Sequence, residues 1–207
     1  MEFTELEKTK TCHKYVLESN LETMKMFPFK FDLYVTYEVE ENRVITIYEV
    51  INKDEKEMLF GIGGHPAYIC DYSSGNYSIE FEDKEDSIKF FSLDNGLVID
   101  KETKNLLENN SIYLNKNSFV NDAIIIKNIK SNKVFLKEKN RKILEFDFTG
   151  FPYLGIWAKI GAPFVCIEPW MNTADKVSSD GNFSNKENIL KLKPDEKFKC
   201  SYSVKFL

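Results

Sequence analysis

From Phe29 to Val39 every odd position is apolar and the even positions are mostly polar, which is the period of a β-strand with one buried face. Glu40-Glu41-Asn42 interrupts the pattern, and the β-branched run Arg43–Ile51 follows as a return strand, so residues 29–51 are predicted to form an antiparallel hairpin. Further strand patterns recur over 77–82, 87–93, 111–114, 133–137, 142–148, 153–159, 164–168, 187–192 and 198–206. Helical periodicity is scarce: only 18–26 and 101–109 could form a turn or two, and neither has a wide apolar stripe. Many short strands separated by turn residues predict an all-β sandwich or barrel. Without a linker, repeat or low-complexity tract, the expectation is one domain, 1–207.

Composition narrows the function classes. The 28 basic residues are dispersed among 33 acidic ones, giving a net charge of -5, whereas a nucleic-acid binder clusters its Lys and Arg against phosphates. No apolar run approaches the ~20 residues that span a bilayer, and the N-terminus lacks the basic and apolar regions of a signal peptide. A cytoplasmic protein that binds neither nucleic acid nor membrane is expected. Cys12, Cys70, Cys166 and Cys200 are far apart, form no Cys-x-x-Cys pair, and read as reduced, mostly buried small side chains. Two histidines with no His-x-x-x-His spacing predict no metal. A Gly-x-Ser-x-Gly elbow and a phosphate-binding Gly-Lys-Ser/Thr are also absent.

Two segments break the alternation with dense glycine, proline, aromatic and ionisable residues. In Phe60-Gly61-Ile62-Gly63-Gly64-His65-Pro66-Ala67-Tyr68 the glycines allow close backbone approach or positive φ, and Pro66 directs the chain away from His65. A core histidine in a bulge would read the same way. In the second, Val165-Cys166-Ile167 enters Glu168 as a buried strand and Pro169-Trp170 covers it. A carboxylate held there has its pKa raised and is a better general base near neutral pH; the competing reading is a buried ion pair. Trp157 and Trp170, the only tryptophans, bracket Glu168 and offer flat faces suited to a sugar ring. His13 lies in a polar, strand-like stretch and is given no role.

Taken in order, Gly63-Gly64-His65-Pro66-Ala67-Tyr68, Phe119-Val120-Asn121-Asp122-Ala123, Phe151-Pro152-Tyr153-Leu154-Gly155-Ile156-Trp157 and Phe164-Val165-Cys166-Ile167-Glu168-Pro169-Trp170 resemble the aldose 1-epimerases, in particular the mutarotase-like branch whose sugar is often unassigned. The resemblance runs through nearly the whole chain. It implies a galactose-mutarotase-like β-supersandwich with an open sugar cleft. It further implies a free hexose whose C1 hydroxyl gives its proton to Glu168 while His65 protonates the ring oxygen. Asp122 would hydrogen-bond a sugar hydroxyl, Trp157 would line the substrate, and no metal or cofactor would be needed.

The chain departs from that family in one respect. Members usually carry a leading segment with an arginine and a second histidine in a His-Gly-Phe-Ala-Arg-like stretch. Neither His13 nor Arg43 or Arg141 lies in such a motif, so the expectation is a short or incomplete version of the family. A sheet edge left open by that absence would suit a second copy, a homodimer. Two alternatives stand beside the epimerase: a non-catalytic carbohydrate-binding relative, and a hexose-6-phosphate 1-epimerase, which the lack of motif arginines disfavours.

Overall fold

A computed structural model describes residues 1–207. In chain order the strands are β1 (Thr4–Lys8), β2 (Cys12–Glu18), β3 (Phe31–Glu40), β4 (Arg43–Asn52), β5 (Met58–Phe60), β6 (Ala67–Ile69), β7 (Tyr77–Phe81), β8 (Lys89–Phe91), β9 (Leu93–Asp94), β10 (Leu97–Val98), β11 (Leu107–Glu108), β12 (Ser111–Leu114), β13 (Ile124–Lys127), β14 (Lys133–Glu138), β15 (Arg141–Asp147), β16 (Tyr153–Trp157), β17 (Phe164–Trp170), β18 (Leu190–Leu192) and β19 (Lys197–Phe206). A single short helix, α1 (Leu21–Met26), joins β2 to β3. The all-β expectation holds. No helix is long and apolar enough to cross a membrane.

The chain folds into two compact units, the first made of 1–60 with 190–206 and the second of 61–189 with Leu207. In the first, β1, β2, β3, β4 and β19 form an antiparallel ladder, and β5 pairs with β18. The predicted hairpin is β3–β4, closed at Glu40 opposite Arg43 by the two-residue turn Glu41-Asn42. Its alternation buries Phe31, Val35 and Val50, but the far end stays open: Tyr37 and Val39 are exposed. Helix α1 forms because Asn20 accepts the backbone N–H groups of Glu22 and Thr23 while the Thr23 hydroxyl accepts that of Asn20. Asn52, fully buried, closes the loop before β5 by donating to the carbonyls of Lys56 and Leu192.

In the second unit β15, β14, β7, β12 and β11 form one antiparallel ladder, and β6, β17, β16, β13 and β8 form another. Leu154, Ile156, Val165, Ile167 and Ile126 on one face of the β6–β8 ladder are fully buried, each contributing roughly 1.5–3 kcal/mol. Tyr68 of that face meets Phe146 of β15 edge-on at 6.2 Å, so the apolar core of this unit lies between its two ladders. The helical turn anticipated over 101–109 does not form. Thr103 donates to the Phe90 carbonyl and the Asn105 side chain accepts from Leu107, so the backbone groups that a helix would use are taken by strand-like and turn partners. The four cysteines are free thiols, with Cys70 and Cys166 buried and Cys12 and Cys200 half-buried.

Candidate active site

Strand register assembles the site in the second unit. The chain from Ile62 to Ala67 runs antiparallel to β17. Met171 donates to Ile62, Gly63 bridges Trp170, Gly64 donates to Pro169, and Ala67 pairs with Cys166. That register puts His65 opposite Glu168. On the other side of β17, Glu168 pairs with Gly155 and Cys166 with Trp157. Residues directly opposite in a ladder share a face, and positions two apart along a strand share it as well. His65, Cys166, Glu168, Trp170, Gly155 and Trp157 therefore belong to one face, and the buried valines and isoleucines that alternate with them belong to the other.

The two ionisable groups meet at 3.4 Å, His65 Nδ1 to Glu168 Oε1, with very different surroundings: the imidazole is 63% exposed and the carboxylate 4%. The sequence placed both in apolar ground, and only Glu168 is there. Burial pushes the Glu168 carboxyl above its ordinary range; the His65 charge and a hydrogen bond from the Trp170 side chain oppose this, and the Asp122 charge adds to it. An acceptor held in low dielectric beside a water-accessible ring is an arrangement suited to passing protons in opposite directions.

Glycine makes room for this geometry. A Cβ on Gly155 would stand 2.6 Å from the six-membered ring of Trp170, and one on Gly63 would stand 2.7 Å from the same indole. The indole lies across two positions that have no side chain, and its N–H reaches Glu168. Neither glycine has positive φ, so close approach is the reason for them. Trp170 also packs against the cluster of Phe91, Val98 and Ile125.

Of the other expected site residues, Trp157 meets His65 edge-to-face at 5.7 Å. Asp122 sits near enough to influence Glu168 electrostatically but is exposed, with φ of 67°, and its carboxylate accepts from the Ala123 backbone. Left-handed backbone at a non-glycine residue is a local strain, which Asp tolerates better than most. An open cavity of about 760 Å³ is lined by Asp122 together with Phe91, Tyr113, Asn115, Asn117 and Asn121, and neither His65 nor Glu168 borders it.

Two features escaped sequence reasoning. Cys166, read as inert packing, is on the reactive face, and its position two residues before Glu168 on a strand was the available signal. The second is a polar rim in which Glu187 accepts from Lys127 at 3.0 Å, Lys176 at 2.6 Å and the Tyr153 hydroxyl at 3.2 Å, holding its carboxyl down at about 2. Its members are dispersed in sequence, and no local spacing announces them.

Comparison with known proteins gives the family and the fold. Residues 1–191 match the family described as aldose 1-epimerase. The plasmid-encoded protein LacX of Lactococcus lactis subsp. lactis is 31% identical over 215 residues, covering 100% of this chain and 72% of LacX. A galactose mutarotase related enzyme from Lactobacillus acidophilus superposes with a TM-score of 0.88 at 27% identity, over 100% of this chain and 71% of that one. A galactose mutarotase-like protein from Lactobacillus casei gives 0.88 at 26% identity, over 100% and 73%. The sheets thus have the galactose-mutarotase-like all-β fold, and the chain belongs to the aldose 1-epimerase family.

Proposed function

We propose that the protein is an aldose 1-epimerase that interconverts the α and β anomers of a free hexose. The observation that carries the reading is the register-paired couple of a buried carboxylate and an exposed imidazole 3.4 Å apart, beside Trp157 and Trp170. Family membership and the mutarotase-related neighbours support the reaction class.

In this reading Glu168 takes the proton of the C1 hydroxyl as protonated His65 gives one to the ring oxygen. The C1–ring-oxygen bond breaks, and C1 becomes an aldehyde. Rotation about C1–C2 presents the other carbonyl face. His65 then recovers the proton from the C5 hydroxyl as its oxygen attacks C1, and Glu168 returns the first proton to O1. Both groups end as they began. Burial raises the Glu168 carboxyl, which makes its carboxylate a stronger base than a solvated one, and each positioned group is worth about 10²–10⁴-fold. Trp170 holds the carboxylate in place through its N–H. Trp157 fixes one side of His65 and offers a ring face to the sugar's C–H groups. Asp122 serves as an acceptor for a sugar hydroxyl.

The test is the optical rotation of freshly dissolved α-glucose and α-galactose with wild type, Glu168→Gln and His65→Asn. Wild type is expected to accelerate the change and each variant to lose about 10²–10⁴-fold. A wild-type rate equal to that of buffer across a hexose panel overturns the reading, and sugar-induced thermal stabilisation without turnover would assign a binding role instead.

A further inference from the structure

The face that pairs His65 with Glu168 carries a third donor. His65 nitrogen, Cys166 sulfur and Glu168 oxygen all lie within 4.8 Å of one another. We propose that these three side chains form a binding site for a borderline-soft divalent cation such as Zn²⁺, and that the cation acts as a reversible inhibitor by occupying both proton-transfer groups.

The argument is geometric. Metal–donor distances of about 2.0–2.1 Å for nitrogen and oxygen and about 2.3 Å for sulfur, at tetrahedral angles, require donors about 3.3–3.6 Å apart. His65 and Glu168 already stand at 3.4 Å. The sulfur must close by at most about 1.3 Å, a side-chain rotation on a strand whose backbone stays paired on both edges. An imidazole, a thiolate and a carboxylate form a mixed donor set of the kind that selects Zn²⁺, Co²⁺ or Cd²⁺ over Mg²⁺ and Ca²⁺. Three protein ligands leave a fourth position open on the exposed His65 side for water or a sugar hydroxyl.

Cys166 is buried on β17, two positions from Glu168 on the same face, so its sulfur reaches solvent only through the site itself. A coordinated thiol gives up its proton, and the cation's charge then compensates the two anions that the apolar surround disfavours. Binding stands independently of the catalytic reading, whereas the inhibition rests on it.

Co²⁺ titrated into untagged, reduced protein is the probe. One equivalent is expected to raise a near-ultraviolet thiolate-to-cobalt charge-transfer band together with intense visible bands of a tetrahedral site. Cys166→Ser or Cys166→Ala should abolish the charge-transfer band. His65→Asn, which alters an exposed side chain and spares the fold, should weaken binding by about 10-fold or more. His13→Asn, which removes the other histidine, should change nothing. Absence of the bands in wild type, or their survival in the Cys166 variants, overturns the proposal. In a parallel arm Zn²⁺ should slow mutarotation, with at least about 10-fold more needed for the Cys166 variants. If wild type shows no mutarotation at all, the function reading falls and the cobalt spectra still decide the site.

Discussion

The two units use the same element differently. In the first, ten-residue strands such as β3 and β4 follow strict alternation, and part of their apolar face, Tyr37 and Val39, stays in water. In the second, five of the seven residues of β17 are buried, so apolar and polar residues alike are enclosed, and alternation no longer means in and out. It means core face and reactive face. A buried strand carries a carboxylate at low cost only where polar partners meet it, and on β17 these are the Trp170 side chain and the His65 ring at 3.4 Å. The candidate site thus sits where burial is deepest, and the regular sheet of the first unit holds no comparable couple of buried carboxylate and imidazole.

The sharpest way to break that contrast is Glu168→Gln, expected to lower the mutarotation rate by about 10²–10⁴-fold, or roughly 3–5 kcal/mol in barrier, while increasing stability. The sign follows from linkage. A carboxyl raised by burial contributes its stability below the ordinary carboxylate range and loses it as pH rises through the raised value. The variant should therefore be more stable than wild type in urea at about pH 7.5 and equal to it at about pH 4. Gly155→Ala comes next: the added methyl meets Trp170 at 2.6 Å, so we expect a loss of about 1–3 kcal/mol, a shifted tryptophan fluorescence and reduced turnover.

Smaller effects sharpen the comparison. Glu187, held at about 2 chiefly by its hydrogen bond from Lys176, stabilises the protein above the ordinary carboxylate range, and that contribution is lost as pH falls through about 2. Because its side chain is 42% exposed, Glu187→Gln should cost only about 1 kcal/mol at neutral pH, and urea midpoints should converge with wild type in acid. Smallest is Asn20→Ala in the first unit, which removes the cap of a six-residue helix. It should cost about 0.5–1 kcal/mol by thermal melting and leave the mutarotation rate untouched.

Legibility followed the same divide. The β3–β4 hairpin, and strands such as β12 and β19, could be read almost to the residue because their period was intact. Strand β13, Ile124-Ile125-Ile126-Lys127, was missed because it is apolar on both faces and has no alternation to detect. Glu168 stood out as a charge inside an apolar run, and His65 as a ring beside glycines. The contact between them did not, because cross-strand register is invisible along a chain. The same reason hid Cys166, and it left the direction of Trp170 to the two glycines beneath it.

Register also has a consequence for how the proposed activity would be acquired. Slipping the 62–67 segment by one position against β17 would set His65 against Ile167 or Pro169 and turn it to the core face. The couple has no half-formed version: it exists when the ladder closes in register and is missing otherwise. Recovery of turnover during refolding should then follow the same time course as amide protection along β17 and lag the early collapse of the apolar core, making enzymatic rate a clock for one specific strand pairing.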